Sequence, residues 1–85
     1  MKIQLRFFAS LREGLGVSHE ALVIPATVKT IVDLRSHLAE RGTNWAEMLA
    51  EDKVIRCALN QQMASDATLL QEDAEVAFFP PVTGG

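Results

Sequence analysis

The most specific chemical pattern in this 85-residue sequence is its last six residues, Pro80-Pro81-Val82-Thr83-Gly84-Gly85. Two successive prolines remove two backbone donors and favour an extended, polyproline-like path, so the segment is predicted to leave the fold instead of packing back onto it. From Val82 onward, at about 3.3 Å per extended residue, it spans about 13 Å, enough to enter a pocket on another protein. Gly84 and Gly85 have no side chains, which suits a narrow channel and leaves a terminal carboxylate sterically open. A carboxylate is anionic and a poor electrophile. Chemistry there needs activation, most simply as an acyl-adenylate formed by a partner with ATP, from which a sulfur or nitrogen nucleophile displaces AMP. A frayed glycine-ended tail is the plainer alternative. Against it stand the position of the dipeptide at the end of the chain and the rigid Pro-Pro step that ties it to an apolar strand pattern.

The other chemistry-bearing residues are scattered. Cys57 falls at an inward strand position, where a free cysteine behaves as a small buried hydrophobe. As the only cysteine, it excludes an internal disulfide framework and a Cys-rich metal or iron-sulfur site. His19 and His37 are far apart in sequence and are expected at the surface, which argues against a metal site. Asp66, Glu72, Asp73 and Glu75 form a loose acidic stretch that reads as a solvated turn. No Ser/His/Asp or Cys/His constellation is present, so the chain reads as the carrier or substrate half of an enzyme and not as its catalytic half.

The elements that must present the terminal segment are legible from periodicity. Residues 2 to 8 alternate, with Ile3, Leu5 and Phe7 on one face and Lys2, Gln4, Arg6 and, unexpectedly, Phe8 on the other. Ser10 to Gly16 reads as a short helical turn. Glu20 to Ile24 reads as a second strand with Leu22 and Ile24 inward, pairing with the first as a hairpin; Pro25 stops it or confines it to an edge. Thr30 is a candidate N-cap with Asp33 three residues on, with Thr27 as a competing start, ahead of an Ile31, Leu34, Leu38 stripe, and Gly42 is a candidate left-handed stop for this main helix. Trp45, Met48 and Leu49 share a face of a shorter helical turn, a lid over the core. Val54 to Asn60 is predicted as a third strand with Ile55, Cys57 and Leu59 inward, and Gln61 to Ala64 as a short edge strand. Leu69 and Leu70 are expected to fill the core. The last strand, Glu75 to Phe79, again splits, with Val76 and Phe78 facing one way and Ala77 and Phe79 the other.

This order predicts an α+β domain over residues 1–79, a mixed four- to five-stranded sheet with one main helix packed on one face, followed by an extended tail at 80–85. The helical crossover allows the first and last strands to lie parallel as central neighbours, which brings Phe8 and Phe79 together on the uncovered face. Eleven acidic and eight basic side chains give a formal charge of -3. That balance offers no basic stripe for nucleic acid. The N-terminal apolar residues are interrupted by Lys2, Gln4 and Arg6 and no run approaches a membrane span, and the lone Cys57 makes a reducing cytoplasm the expected compartment.

The architecture and the ending Glu75-Val76-Ala77-Phe78-Phe79-Pro80-Pro81-Val82-Thr83-Gly84-Gly85 resemble the small-subunit family of molybdopterin synthase, sulfur carriers with the ubiquitin-like β-grasp fold. Phe7-Phe8-Ala9 with Arg12-Glu13, Leu34-Arg35 and Leu59-Asn60-Gln61 resemble the family at corresponding places. The resemblance implies that Gly85 is adenylated by an enzyme related to the ubiquitin-activating enzymes and converted to a thiocarboxylate with sulfur from a sulfurtransferase. Gly84, Thr83, Val82, Pro81 and Pro80 would thread into the large synthase subunit, where the sulfur passes to cyclic pyranopterin monophosphate; two transfers build the molybdopterin dithiolene of the molybdenum cofactor. It implies a heterotetramer, no catalytic activity of the small subunit alone, no tightly bound cofactor, ATP used by the activating enzyme, and a partner interface at Phe8, Met63 and Phe79. Arg12 is expected at its rim. A carrier for thiamine or cysteine synthesis, a ubiquitin-like modifier and a plain interaction domain are the alternatives. One departure is visible. The family turn before the last strand commonly reads Asp-Gly-Asp, whereas here it is Glu72-Asp73-Ala74, for which a modest local cost is expected.

Overall fold

The computed structural model describes residues 1–81. The chain runs β1 (Lys2–Phe7), α1 (Ala9–Leu15), β2 (His19–Val23), α2 (Ile31–Ala39), α3 (Thr43–Met48), β3 (Arg56–Leu59), β4 (Gln62–Ala64) and β5 (Glu75–Phe79). The strands form one five-stranded sheet in the order β2-β1-β5-β3-β4. β1 pairs antiparallel with β2 and parallel with β5, and β3 pairs antiparallel with both β5 and β4. The last strand is therefore the central one, and β2, which ends at Val23 two residues before Pro25, lies at an edge, where a proline's missing donor is tolerated.

Alternation sets the two faces. Ile3, Leu5 and Phe7 of β1 and Val76 and Phe78 of β5 are buried beneath the helices, joined by Leu11 and Leu15 of α1 and by Ile31, Leu34 and Leu38 of α2. Phe7 centres this core: its ring stacks on Phe78 with centroids 6.0 Å apart and meets the edge of Trp45 at 5.7 Å. Trp45 and Met48 pack against the buried set and Leu49 is buried outright, so α3 is the expected lid.

The start of α2 is the capping box that its sequence predicts. The Asp33 N–H donates to Thr30 Oγ1 at 3.2 Å, and Asp33 Oδ2 accepts from the Thr30 N–H at 3.2 Å. The Asp33 carboxyl is held below its ordinary pKa, first by the Lys29 N–H, which donates to Oδ2 at 3.1 Å, and then by the Thr30 side chain and N–H. Farther along α2, Arg35 donates from Nε to the Leu49 carbonyl at 2.9 Å and from Nη2 to the Ala50 and Lys53 carbonyls. One guanidinium thus ties down the end of α3 and the loop behind it, supplying donors for carbonyls a helix leaves orphaned.

Three details differ from the sequence expectation. Gly42 does not stop α2: the helix ends at Ala39 with Glu40 as a right-handed cap, and Gly42, at φ 158°, ψ 176°, opens α3 in a conformation reserved for glycine. Leu69 is 66% exposed and only Leu70, at 6%, enters the core. Leu70 is anchored by its N–H donating 2.8 Å to the Lys29 carbonyl, which fixes one side chain inward and its neighbour outward. The third strand is shorter than the expected Val54 to Asn60, running only from Arg56 to Leu59. Among the described residues no helix is long and apolar enough to cross a membrane.

Candidate functional site

The face opposite the helices is where the exposed aromatics collect. In an antiparallel pair, residues directly opposite share a face, and the observed register places Arg6, Ala77, Ala58 and Met63 in one row across β1, β5, β3 and β4. The next row holds Phe79 opposite Arg56, with Phe8 one residue beyond the Phe7–Phe78 pair; the Phe8 N–H donates to the Phe78 carbonyl at 3.2 Å. Phe8 is exposed, Phe79 half-buried and Met63 exposed. All three residues predicted for a partner interface thus lie on one sheet face, Phe8 and Phe79 at its upper edge and Met63 at its flank.

Arg12 stands elsewhere. It is exposed on α1, one helical turn beyond Phe8, whose carbonyl accepts from the Arg12 N–H at 3.4 Å. That position puts it beside the aromatic row and off the sheet itself. Pro80 and Pro81 follow β5 and are half-buried. Pro80 also lines a cleft of about 310 Å³ whose walls come from Ser10 and Leu11 of α1, Met48 of α3 and Lys53–Ile55. Val82, Thr83, Gly84 and Gly85 lie outside the described residues.

Four further residues complete this face; alternation gives the side of each strand they occupy but not their juxtaposition. Ala58 and Ala77 form its floor and are 8% and 7% exposed on the side no helix covers. Arg6 lays its guanidinium 5.5 Å from the Phe8 ring centroid and reaches Glu75 at 3.8 Å. Arg56 stands opposite Phe79. The alternation places Ala77 beside Phe79 in the sequence, but the pairing that brings Ala58, Arg56 and Met63 alongside depends on the β3–β4 turn. There Asn60 and Gln61 both adopt positive φ, 50° and 69°, the conformation of a two-residue hairpin. Asn60 also pins β5, its Oδ1 accepting from the Glu75 N–H at 2.9 Å.

No nucleophile is activated nearby. The Cys57 thiol is buried on the helix side, donates to the Ala64 carbonyl at 3.4 Å, and has its pKa raised by that burial and then by Asp66. Among the described residues no three metal-ligating side chains cluster. What this surface offers is an exposed apolar patch beside Pro80 and Pro81, of the kind that marks a protein-contact site.

Residues 5–85 match the ThiS family. The chain belongs to this family. Over 83 residues it is 41% identical to the molybdopterin synthase sulfur carrier subunit of Escherichia coli (strain K12), covering 98% of this chain and 99% of that protein. It is 37% identical, with the same coverage, to the protein of that name from Haemophilus influenzae (strain ATCC 51907 / DSM 11121 / KW20 / Rd). Its fold superposes on SAMP1 of Haloferax volcanii with a TM-score of 0.81 over the whole of both chains at 22% identity. It superposes with a TM-score of 0.69, also over the whole of both chains and at 24% identity, on a chain from the protein-protein complex of subunits 1 and 2 of the molybdopterin-converting factor of Helicobacter pylori 26695. The fold is the ubiquitin-like β-grasp of ThiS-family proteins, with five strands and three helices among the described residues.

Proposed function

We propose that this chain is the sulfur-carrier subunit of a molybdopterin synthase, acting in the cytoplasm and without catalytic activity of its own. The observation that carries the reading is the 41% identity, over 98% of this chain and 99% of the relative, to a protein named for that role. The physical chemistry agrees with it. A central strand runs into two prolines beside an exposed aromatic face, and the sequence closes with two glycines that a narrow channel accepts.

The proposed cycle starts with the Gly85 carboxylate attacking the α-phosphorus of ATP on an adenylating enzyme, releasing pyrophosphate. Hydrosulfide-level sulfur derived from a sulfurtransferase then attacks the acyl-adenylate; the C–S bond forms as the C–O bond to AMP breaks, a proton is released, and a thiocarboxylate is left. Docked through Phe8, Phe79 and Met63, with Arg12 at the rim, the carrier threads Pro80 to Gly85 into the large subunit and gives up its sulfur to cyclic pyranopterin monophosphate. Two such deliveries complete the dithiolene, in an assembly of two carriers on a dimer of large subunits. The carrier itself holds no cofactor; ATP belongs to the activating enzyme.

The mass of the C-terminal peptide tests this reading. Cleavage after Glu75 releases Val76–Gly85, which contains neither Met nor Cys, so a sulfur-for-oxygen gain cannot be confused with oxidation of those side chains. Protein incubated with ATP, the adenylating enzyme and a sulfur donor is expected to show a thiocarboxylate at Gly85, and transfer to the pterin substrate is expected to return the carboxylate. A carboxylate that persists through that incubation excludes sulfur carriage and leaves an interaction domain.

A further inference from the structure

The charge on this protein is segregated in a way its net value hides. On the uncovered sheet face the strands present Lys2, Arg6 and Arg56 against one carboxylate, Glu75, a formal charge of +2. The whole chain is -3, so every other surface together carries -5. The single acid on the face does little to cancel its cations. Glu75 reaches Arg6 only at 3.8 Å, with both side chains substantially solvated, and an ion pair of that kind contributes little. Both arginines stand beside an aromatic ring: Arg6 lies over Phe8, and Arg56 faces Phe79 across β3 and β5.

We infer that the partner this face fits is a protein whose apolar contact surface is rimmed with carboxylates that meet Arg6 and Arg56. The inference rests on the carrier reading above and adds to it the chemistry of the surface that receives the carrier. An apolar centre supplies contact area, and complementary charge at its rim accelerates encounter and rejects wrong partners. A second copy of this chain is a poor occupant, because two such faces would oppose like charges across the aromatic centre. A neutral partner surface would leave the arginines without their carboxylates and make association insensitive to salt.

The test compares two charge reversals of equal size. Arg56→Glu alters the face; Lys29→Glu makes the same change in net charge on the exposed loop ahead of α2, off the sheet. Arg56→Gln serves as a milder second variant, and each is checked for native amide dispersion. The probe is the cognate large synthase subunit, and the readout is the association rate constant at low and high salt. Arg56→Glu is expected to slow association about tenfold or more at low salt, with the difference shrinking as salt rises; Arg56→Gln falls between it and wild type, and Lys29→Glu matches wild type. Equal rates for Arg56→Glu and Lys29→Glu, or a difference that salt does not change, overturn the inference and leave the carrier reading intact. Wild-type chain that fails to bind the large subunit while gaining a Gly85 thiocarboxylate overturns both the inference and the molybdopterin client. Arginine-dependent binding to single-stranded RNA in place of the subunit overturns the inference in favour of a different macromolecule.

Discussion

Ala58 and Ala77 stand opposite one another on β3 and β5, and both are buried on the side of the sheet that carries no helix. Two methyl groups at the centre of a face keep it low, so the larger Phe8, Phe79 and Met63 around them are left standing above it.

From this follows the behaviour of a Phe8→Ala, Phe79→Ala double variant. Phe8 is 40% exposed and neither ring belongs to the buried core, so the variant is expected to keep its fold with a modest fall in melting temperature. Its affinity for the large subunit is expected to drop at least about tenfold, as central aromatic anchors do when truncated. Calorimetric titration alongside a thermal melt checks both halves; a folded variant with unchanged affinity would remove this face from the docking interaction.

The capping box gives a stability prediction with a defined pH dependence. Thr30→Ala is expected to cost about 1 kcal/mol, since it removes the acceptor for the Asp33 N–H. In a domain of this size that corresponds to a melting temperature lower by about 4–8 °C. The Asp33 carboxyl is held below its ordinary value of 3.8, so its contribution is present above that value and is lost as pH falls through the lowered native one. Glu20, held down by its hydrogen bond to Arg41 at 2.8 Å, behaves in the same sense. Asp33→Asn is therefore expected to flatten the acid side of the stability profile; urea unfolding across that range measures it, and an unchanged slope would refute the assignment.

Asp73 tests the one departure from the family turn. It sits at φ 61°, its N–H donating 2.7 Å to the Lys2 carbonyl, and so occupies in the left-handed region the place where the family commonly has glycine. Asp tolerates that region better than most residues, whereas a β-branched side chain does not. Asp73→Val is expected to cost about 1–2 kcal/mol and Asp73→Gly to be tolerated without loss. Denaturant melts of the two variants decide the matter; equal stabilities would show that the turn does not demand a positive φ.

Much of this arrangement was legible because the signals are local. The alternation in β1 and β5 placed Phe8 and Phe79 outside the core before any pairing was known, and Thr30 with Asp33 announced the start of α2. What escaped depends on tertiary context. Gly42 looked like a stop because it follows a helical stripe, yet the helix ends earlier on Glu40 and the glycine serves the next element. Leu69 and Leu70 are equally apolar, and only the backbone bond from Leu70 to Lys29 decides which turns inward. The uncovered face itself was half visible. Its aromatics could be read strand by strand, but its alanine floor and its arginines came together only through the register of β3 against β5 and β4.

The position of β5 has a further consequence for synthesis on the ribosome. Strands β1 and β2 form one hairpin and β3 and β4 another, and β5 is the only strand that joins them. Two-stranded hairpins are at best marginal in water. A nascent chain that has not yet extruded Glu75–Phe79 therefore holds two orphan hairpins and lacks both Ala77 and Phe79 of the contact surface. Formation of the uncovered sheet face is thereby deferred until β5 has been made.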